Sequence, residues 1–193
     1  MPVHVMNYRG KHPEAIDTTS RSTTWSRGLS PFYLGPCKLY SGLWAKNVEN
    51  AWQYSKVYLE HADQELNPAP AYFEWAIEGW AKERADRYPM GKGRKPLYSW
   101  WDGQKFDYVT ARRKIYIPLY YKAAKESDAF RQLKSIYDER GEVWLRDFDG
   151  YDYESMGRSL SDVVLDPNRK MGHAFVLALM LTDPADWHLH PSD

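Results

Sequence analysis

Cysteine is nearly absent: Cys37 is the only one in 193 residues. A single thiol closes no internal disulfide, which points to a reducing compartment and excludes zinc ribbons and redox pairs. Net charge is missing too. Lys plus Arg and Asp plus Glu each number 26, so attraction to a polyanion by bulk charge is excluded, while a local basic patch stays open. The longest apolar run, Phe175 to Leu181, is too short to cross a bilayer. The opening Met1-Pro2-Val3-His4 has no basic flank before an apolar stretch, so no signal peptide and a cytoplasmic location are expected. There is no Gly-rich loop running into Lys-Ser/Thr, no Gly-x-Ser-x-Gly elbow and no His-Glu-x-x-His. The expectation is a chain without a membrane partner, metal or cofactor.

Aromatic residues are abundant instead, with 9 Trp, 15 Tyr and 6 Phe making 16% of the chain. Tyr and Trp join an apolar body to a polar handle. Their surplus suits a lined pocket and equally a Tyr-rich core with satisfied hydroxyls. Length and a 43% hydrophobic share predict one domain over residues 1–193. It would carry a polar N-terminal segment, about 1–28, and a short C-terminal tail, about 183–193.

Apolar spacing predicts mostly helices. The first 30 residues read as loop with one short strand. Asn47 is placed to cap a helix in which Val48, Ala51, Trp52, Ser55 and Leu59 share a stripe. A second helix is expected over about 71–85, with Phe73, Ile77, Trp80 and Ala81 inward. Residues 87–96 hold two Gly and two Pro and read as loop. A helix over 106–124 puts Tyr108, Arg112, Ile115, Leu119 and Ala123 in phase, with a kink or break at Pro118. Ser127 caps the next helix, which buries Phe130, Leu133, Ile136 and Tyr137 and ends near Gly141. A short strand at 143–145, an acidic turn at 147–152 and a helix over about 170–181 complete a mainly α (α+β) domain.

Four segments can carry chemistry. Glu49, Gln53 and Lys56 follow one another at helical spacing beside Trp52. They form either a cleft that positions a general base or an exposed Glu–Lys face. The loop Lys92-Gly93-Arg94-Lys95 either holds a phosphate or is solvated. The acidic turn from Asp147 to Asp152 offers an acid/base pair, ligands for a hard metal, or a solvated turn. His188-x-His190 reads as a metal contact or as a solvated tail.

Taken in order, these segments resemble the NADAR (YbiA-like) family. Leu29-Ser30-Pro31-Phe32 is similar to its Phe-Ser-Asn-Phe segment, and residues 48–56 (VENAWQYSK) to its Ser-Glu-His-x-x-Gln-x-x-Lys helix. Residues 91–97 followed by Trp101 look like its Gly-Arg-x-Arg…Pro-Leu…Trp block. Leu145-Arg146-Asp147, Tyr151-Asp152 and Gly157 look like Leu-x-Glu…Asp-x-x-Trp-Gly, and Gly172 with the helix behind it matches the closing block in position. The chain departs from the pattern at Asn50 (His in the family), Lys92 (Arg) and Met156 (Trp). One extra residue precedes Gly157, and His173 or Ala174 replaces an Asn.

The resemblance implies a compact YbiA-like helical domain with a few short strands. The implied activity is metal-independent hydrolysis of the C–N bond of a ribosylated base, either an ADP-ribosylated guanine or a ribosyl-phosphate intermediate of the riboflavin pathway. It assigns Glu49, Asp152 and Trp101 as catalytic. Glu49 would stabilise an oxocarbenium-like state or activate water, Asp152 would be the second carboxylate, and Trp101 would stack on the base. Arg94 and Lys92 would neutralise a phosphate. Gln53 and Lys56 would line the ribose side, Ser30 and Phe32 would close the mouth, and Trp52 and Asp147 would also bind substrate. The partners implied are an ADP-ribose-like or ribosyl-phosphate small molecule and ADP-ribosylated nucleic acid. For a viral source such as a phage the compartment would be the host cytoplasm. The departures support the alternative of an inactive ADP-ribose- or nucleotide-binding protein, and the excess of Tyr and Trp that of a host-interaction protein with a decayed pocket.

Overall fold

The structure, a computed structural model, describes residues 2–182. It is an α+β domain in which a small parallel sheet and two antiparallel pieces are enclosed by helices. β1 (Val3–Asn7), β2 (Ile16–Asp17) and β8 (Val143–Asp147) form the parallel sheet, with β8 central. β1 pairs along its whole length with β8, Val3 opposite Val143 and Asn7 opposite Asp147. Val3, Val5, Val143, Leu145 and Asp147 are buried. Their alternation gives the sheet its core face. The N-terminal segment, read as loop with one short strand, carries two strands and a 3-10 turn, Trp25–Leu29.

β3 (Cys37–Lys38) and β4 (Trp44–Ala45) make a short ribbon ahead of α1 (Val48–Gln53). Asn47 caps α1 as expected, its side chain accepting the Asn50 amide at 2.8 Å. The helix is shorter than its apolar stripe suggests. It stops at Tyr54, and Lys56–Val57 becomes β5, which pairs with β6 (Tyr98–Trp101) and through it with β7 (Gln104–Phe106). The β6–β7 hairpin turns at Asp102-Gly103, both at positive φ, as a two-residue hairpin loop requires.

α2 (Pro70–Ala81) buries Tyr72, Ala76, Gly79 and Trp80 and leaves Phe73 and Ile77 exposed. The inward stripe is thus one position out of phase with the expected one. Apolar side chains occur all round this helix, so spacing alone does not select a face. The helix ends at Ala81, short of the expected 85, and residues 82–97 are irregular, including the loop expected at 87–96.

α3 (Tyr108–Ala111) runs through a π-helical turn (Arg112–Tyr116) into α4 (Ile117–Lys125). The expected irregularity at Pro118 takes this form. Proline supplies no amide to the helical ladder, and the wider turn before it absorbs the mismatch. α5 (Asp128–Arg140) starts at the Ser127 cap and ends on Gly141, at φ 73°, as the sequence predicts. α6 (Leu160–Leu165), which spacing did not reveal, opens on a Ser159–Asp162 capping box. α7 (His173–Thr182) is buried over most of its length against β1, β8 and α4. Among the described residues no helix is long and apolar enough to cross a membrane.

Candidate functional site

The three parallel strands end on the same side, where their chain continuations meet α1, the π turn and the loop before α7. Ligands commonly bind at the carboxyl ends of parallel strands. Here a cavity of about 620 Å³ opens there, its wall drawn from Glu49, Trp52, Gln53 and Lys56, the 87–96 loop, Arg112 and Tyr116, and residues 147–149 and 167–173.

Glu49 lies on the buried side of α1. The first-turn amides of this helix are satisfied by the preceding turn, Val48 donating to the Leu34 carbonyl and Glu49 to that of Pro31. The Glu49 carboxylate accepts the Gln53 amide at 2.9 Å, and the Gln53 carbonyl oxygen accepts from Lys56 Nζ at 2.7 Å. Gln53 is thereby fixed with its NH2 toward the anion and its oxygen toward the cation. Lys56 Nζ stands 4.7 Å from the Trp52 ring centroid, and the far neighbour of Trp52 is Tyr116, 5.3 Å between ring centroids. Burial pushes the Glu49 carboxyl above its usual range; Gln53, Lys56 and Arg87 oppose this and Asp149 adds to it. Burial likewise pulls Lys56 down to about 8, against the pull of Glu49 and with the help of Lys170. Burial also holds the Tyr116 phenol well above its ordinary value.

Charge on the wall is uneven. Seven Lys or Arg side chains line the cavity against the carboxylates of Glu49, Asp147 and Asp149. Arg87 pairs with Asp149 at 3.1 Å, and Arg94 pairs with Glu60. Asp147 is engaged from behind. Its Oδ2 accepts the Ala174 amide at 3.0 Å at the start of α7 and lies 3.2 Å from His173 Nδ1. A Cβ on Gly172 would come within 2.0 Å of that oxygen, so the position has room only for glycine. The Thr18 carbonyl can only accept, so His173 Nε2, 2.8 Å away, donates to it.

Of the residues selected from sequence, Glu49, Gln53, Lys56, Trp52, Ser30, Phe32, Arg94 and Asp147 meet around this one cavity. The Ser30 hydroxyl is turned inward and accepts the Phe32 amide at 3.3 Å. Three others do not reach it. Trp101 sits on β6 against the Tyr40 edge, ring centroids 5.0 Å apart, so the strand pairing that places it turns it away from a stacking role. Asp152 is exposed and caps a turn through the Ser155 amide at 3.0 Å. Lys92 is exposed between two positive-φ glycines, and the loop presents Arg94 and Lys95 instead. His188 and His190 lie outside the described residues.

Asn50, where the sequence departs from the YbiA-like pattern it resembles, faces away from the cavity. Its amide donates to the Lys82 and Arg84 carbonyls at 3.0 and 3.1 Å, and its oxygen accepts the Asp86 amide at 2.8 Å. It therefore ties down the segment that presents Arg87.

Sequence reasoning missed Arg87, Arg169, Lys170 and the part played by Arg112, and it placed Asp149 in the acidic turn without singling it out. Buried Arg112 donates to the carbonyls of Val163, Val164, Asp166 and Arg169 at 2.7–3.0 Å, gathering the loop that supplies the far wall. The signal for it was present: a charged residue in phase with the apolar stripe of a helix has to satisfy several acceptors.

Residues 4–165 match a family described as "Family of unknown function (DUF6939)". The chain belongs to the DUF6939 family. The DUF6939 match includes the Glu49–Gln53–Lys56 chain, Arg87, Arg112 and Asp147, and stops before the 167–173 wall and α7. No curated protein and no solved structure matches.

Proposed function

We propose that this protein is an N-glycosidase of the YbiA-like type that hydrolyses the C–N bond between a ribose and a base, the substrate being an ADP-ribosylated guanine or a ribosyl-phosphate compound. The observation that carries the reading is the hydrogen-bonded chain Glu49–Gln53–Lys56 in a cavity whose wall is otherwise rich in cations. Cleaving an N-glycosidic bond builds positive charge at the anomeric carbon and needs a proton at the departing base. A buried carboxylate beside that carbon stabilises the charge or takes a proton from water. An ammonium brought down to about 8 donates a proton readily near neutral pH. The guanidinium and ammonium groups of Arg87, Arg169 and Lys170 suit a phosphate or pyrophosphate. Trp52 and Tyr116 take over the aromatic wall that Trp101 does not provide. Asp149, held by Arg87 and felt by Glu49, takes the place of Asp152 as second carboxylate.

The test is release of ADP-ribose from ADP-ribosylated guanine, offered as nucleoside and within DNA, by the wild type and by Glu49→Gln. Release that falls at least 100-fold in the variant is expected. A second reading, a binder of ADP-ribose without turnover, is favoured by the absence of Trp101 and Asp152 from the cavity. Thermal stabilisation by ADP-ribose with no release from either substrate selects it.

A further inference from the structure

Buried polar atoms in a folded chain normally have hydrogen-bond partners, and two on the cavity wall do not. Tyr116 is 7% exposed, and its hydroxyl has no partner among the described residues. Glu49, 6% exposed, accepts the Gln53 amide on Oε1 and leaves Oε2 likewise without one. Both side chains line the same cavity. Tyrosines buried elsewhere are satisfied. Tyr120, one turn further on, donates to the Leu29 carbonyl, and Tyr72 donates to that of Tyr54 at 3.1 Å.

The backbone delivers Tyr116 to this place through an irregularity. It closes the π-helical turn, and with Arg112 it reaches the cavity wall, while Ile115 and Ile117 on either side of it stay in the core. Turns of this kind are rare and are frequent at functional sites. Burial first, and then the charges of Glu49 and Asp147, hold the phenol in its protonated form, so it is a donor. Burial raises the Tyr58 phenol too, but the charge acting on that one is Arg94, on the cationic side of the wall. The Tyr116 end therefore combines a donor that lacks an acceptor with a carboxylate oxygen that lacks a donor. A phosphate could take the phenol proton but is repelled by Glu49, and an ammonium could serve Glu49 but cannot accept. A hydroxyl accepts from the one and donates to the other.

We infer that Tyr116 is a specificity residue that reads the 2-hydroxyl of the substrate's ribose: the phenol donates to that oxygen, and the hydroxyl's own proton goes to Glu49 Oε2. The 2-hydroxyl stands on the carbon next to the anomeric centre at which Glu49 acts, and hydrogen bonds to it strengthen as an oxocarbenium-like state develops. The inference deepens the glycosidase reading by naming the residue that selects the sugar, and it rests on that reading for which hydroxyl lies beside the reacting carbon. It also has a chemical consequence. An ADP-ribosylated guanine within DNA carries two C–N bonds to sugars, one to ribose and one to deoxyribose. A site that needs the 2-hydroxyl cuts the first and spares the second.

The test is calorimetric binding of ribose 5-phosphate and of 2-deoxyribose 5-phosphate to the full chain. The wild type should hold the ribose compound more tightly by about tenfold or more. Tyr116→Phe should bring that affinity down to the level of the deoxy compound, and should leave the deoxy affinity itself unchanged. The melting temperature should hold, because the hydroxyl has no protein partner to lose. Equal affinity of the wild type for the two sugars, binding of neither, or a preference that survives in Tyr116→Phe overturns the inference. So does a variant that weakens both sugars alike, which is the mark of a merely structural role. Sugar discrimination through Tyr116 without release of ADP-ribose from the modified guanine leaves this assignment standing and removes the glycosidase. Release that Tyr116→Phe does not slow keeps the glycosidase and removes the assignment.

Discussion

Asp147 Oδ2 holds the first turn of α7 through the Ala174 amide and lies 3.2 Å from His173 Nδ1, both side chains being buried. The carboxylate at the end of β8 thus joins the central strand to the last described helix, and it serves the fold before it serves a ligand. Removing a buried acceptor and leaving its donor unsatisfied typically costs about 1–3 kcal/mol. Asp147→Ala is expected to destabilise the protein by that order in urea unfolding. Asp147→Asn should cost less, because it still accepts the Ala174 amide. Unchanged stability with lost ADP-ribose binding would transfer Asp147 to the ligand-binding set.

Lys56 gives a pH dependence of known sign. Its folded value of about 8 lies below the ordinary lysine value, so the charged form is disfavoured by folding. The stability this group contributes is complete above its unfolded value and is lost as pH falls through about 8. Lys56→Met should therefore raise stability at pH 7 by about 1–3 kcal/mol, and the gain should shrink between about pH 8 and the ordinary lysine value of 10.5. Chemical denaturation across that window measures it, and a gain that does not vary with pH contradicts the assignment.

The same residue sets the expected rate profile. Activity should fall on the alkaline side with an apparent midpoint near 8, belonging to the Glu49–Lys56 pair as a unit. Lys56→Arg, whose guanidinium does not give up a proton, should remove that limb together with most of the activity. A limb that stays in place assigns the titration to another group.

Arg112 grips four carbonyls that no lysine can span at once. Arg112→Lys keeps the charge and loses the fork. Amide exchange at Asn168, Arg169 and Lys170 should accelerate at least tenfold, with ADP-ribose affinity falling in parallel. Uniform acceleration over the whole chain would instead report global destabilisation.

Asn50→Ala removes three half-buried hydrogen bonds to the 82–86 segment. A cost of about 2–3 kcal/mol is expected from roughly 1 kcal/mol each, together with weaker ADP-ribose binding as Arg87 loses its support. Asn50→His, which matches the YbiA-like pattern that the sequence resembles, cannot make all three bonds and should not rescue stability. Full rescue by histidine would mean that the position faces the ligand.

Elements with local chemistry were legible in the sequence. Asn47, Ser127 and Gly141 announce helix ends through caps that need no tertiary partner, and the Glu49–Gln53–Lys56 spacing survives although Lys56 leaves the helix. What depended on distant pairing was hidden. β1 and β2 are too short and too polar around their edges to stand out, and exist because β8 lies between them. The face of α2 was misread because aromatic residues surround it, and only the packing of Tyr72 and Trp80 decides. Trp101 and Asp152 carried the right residue type in the right order, but chain order does not fix which side of a strand or turn a side chain occupies.

Asn7 donates to the Phe148 carbonyl across 141 positions of the chain, and every rung between β1 and β8 closes a loop of similar size. During synthesis the first strand must wait, unpaired, for almost the whole described chain to leave the ribosome. Contacts of such sequence separation slow folding and prolong exposure of strand edges. The cavity, assembled from the ends of those strands, is therefore among the last features to form, and newly made protein should acquire ligand binding later than its helices.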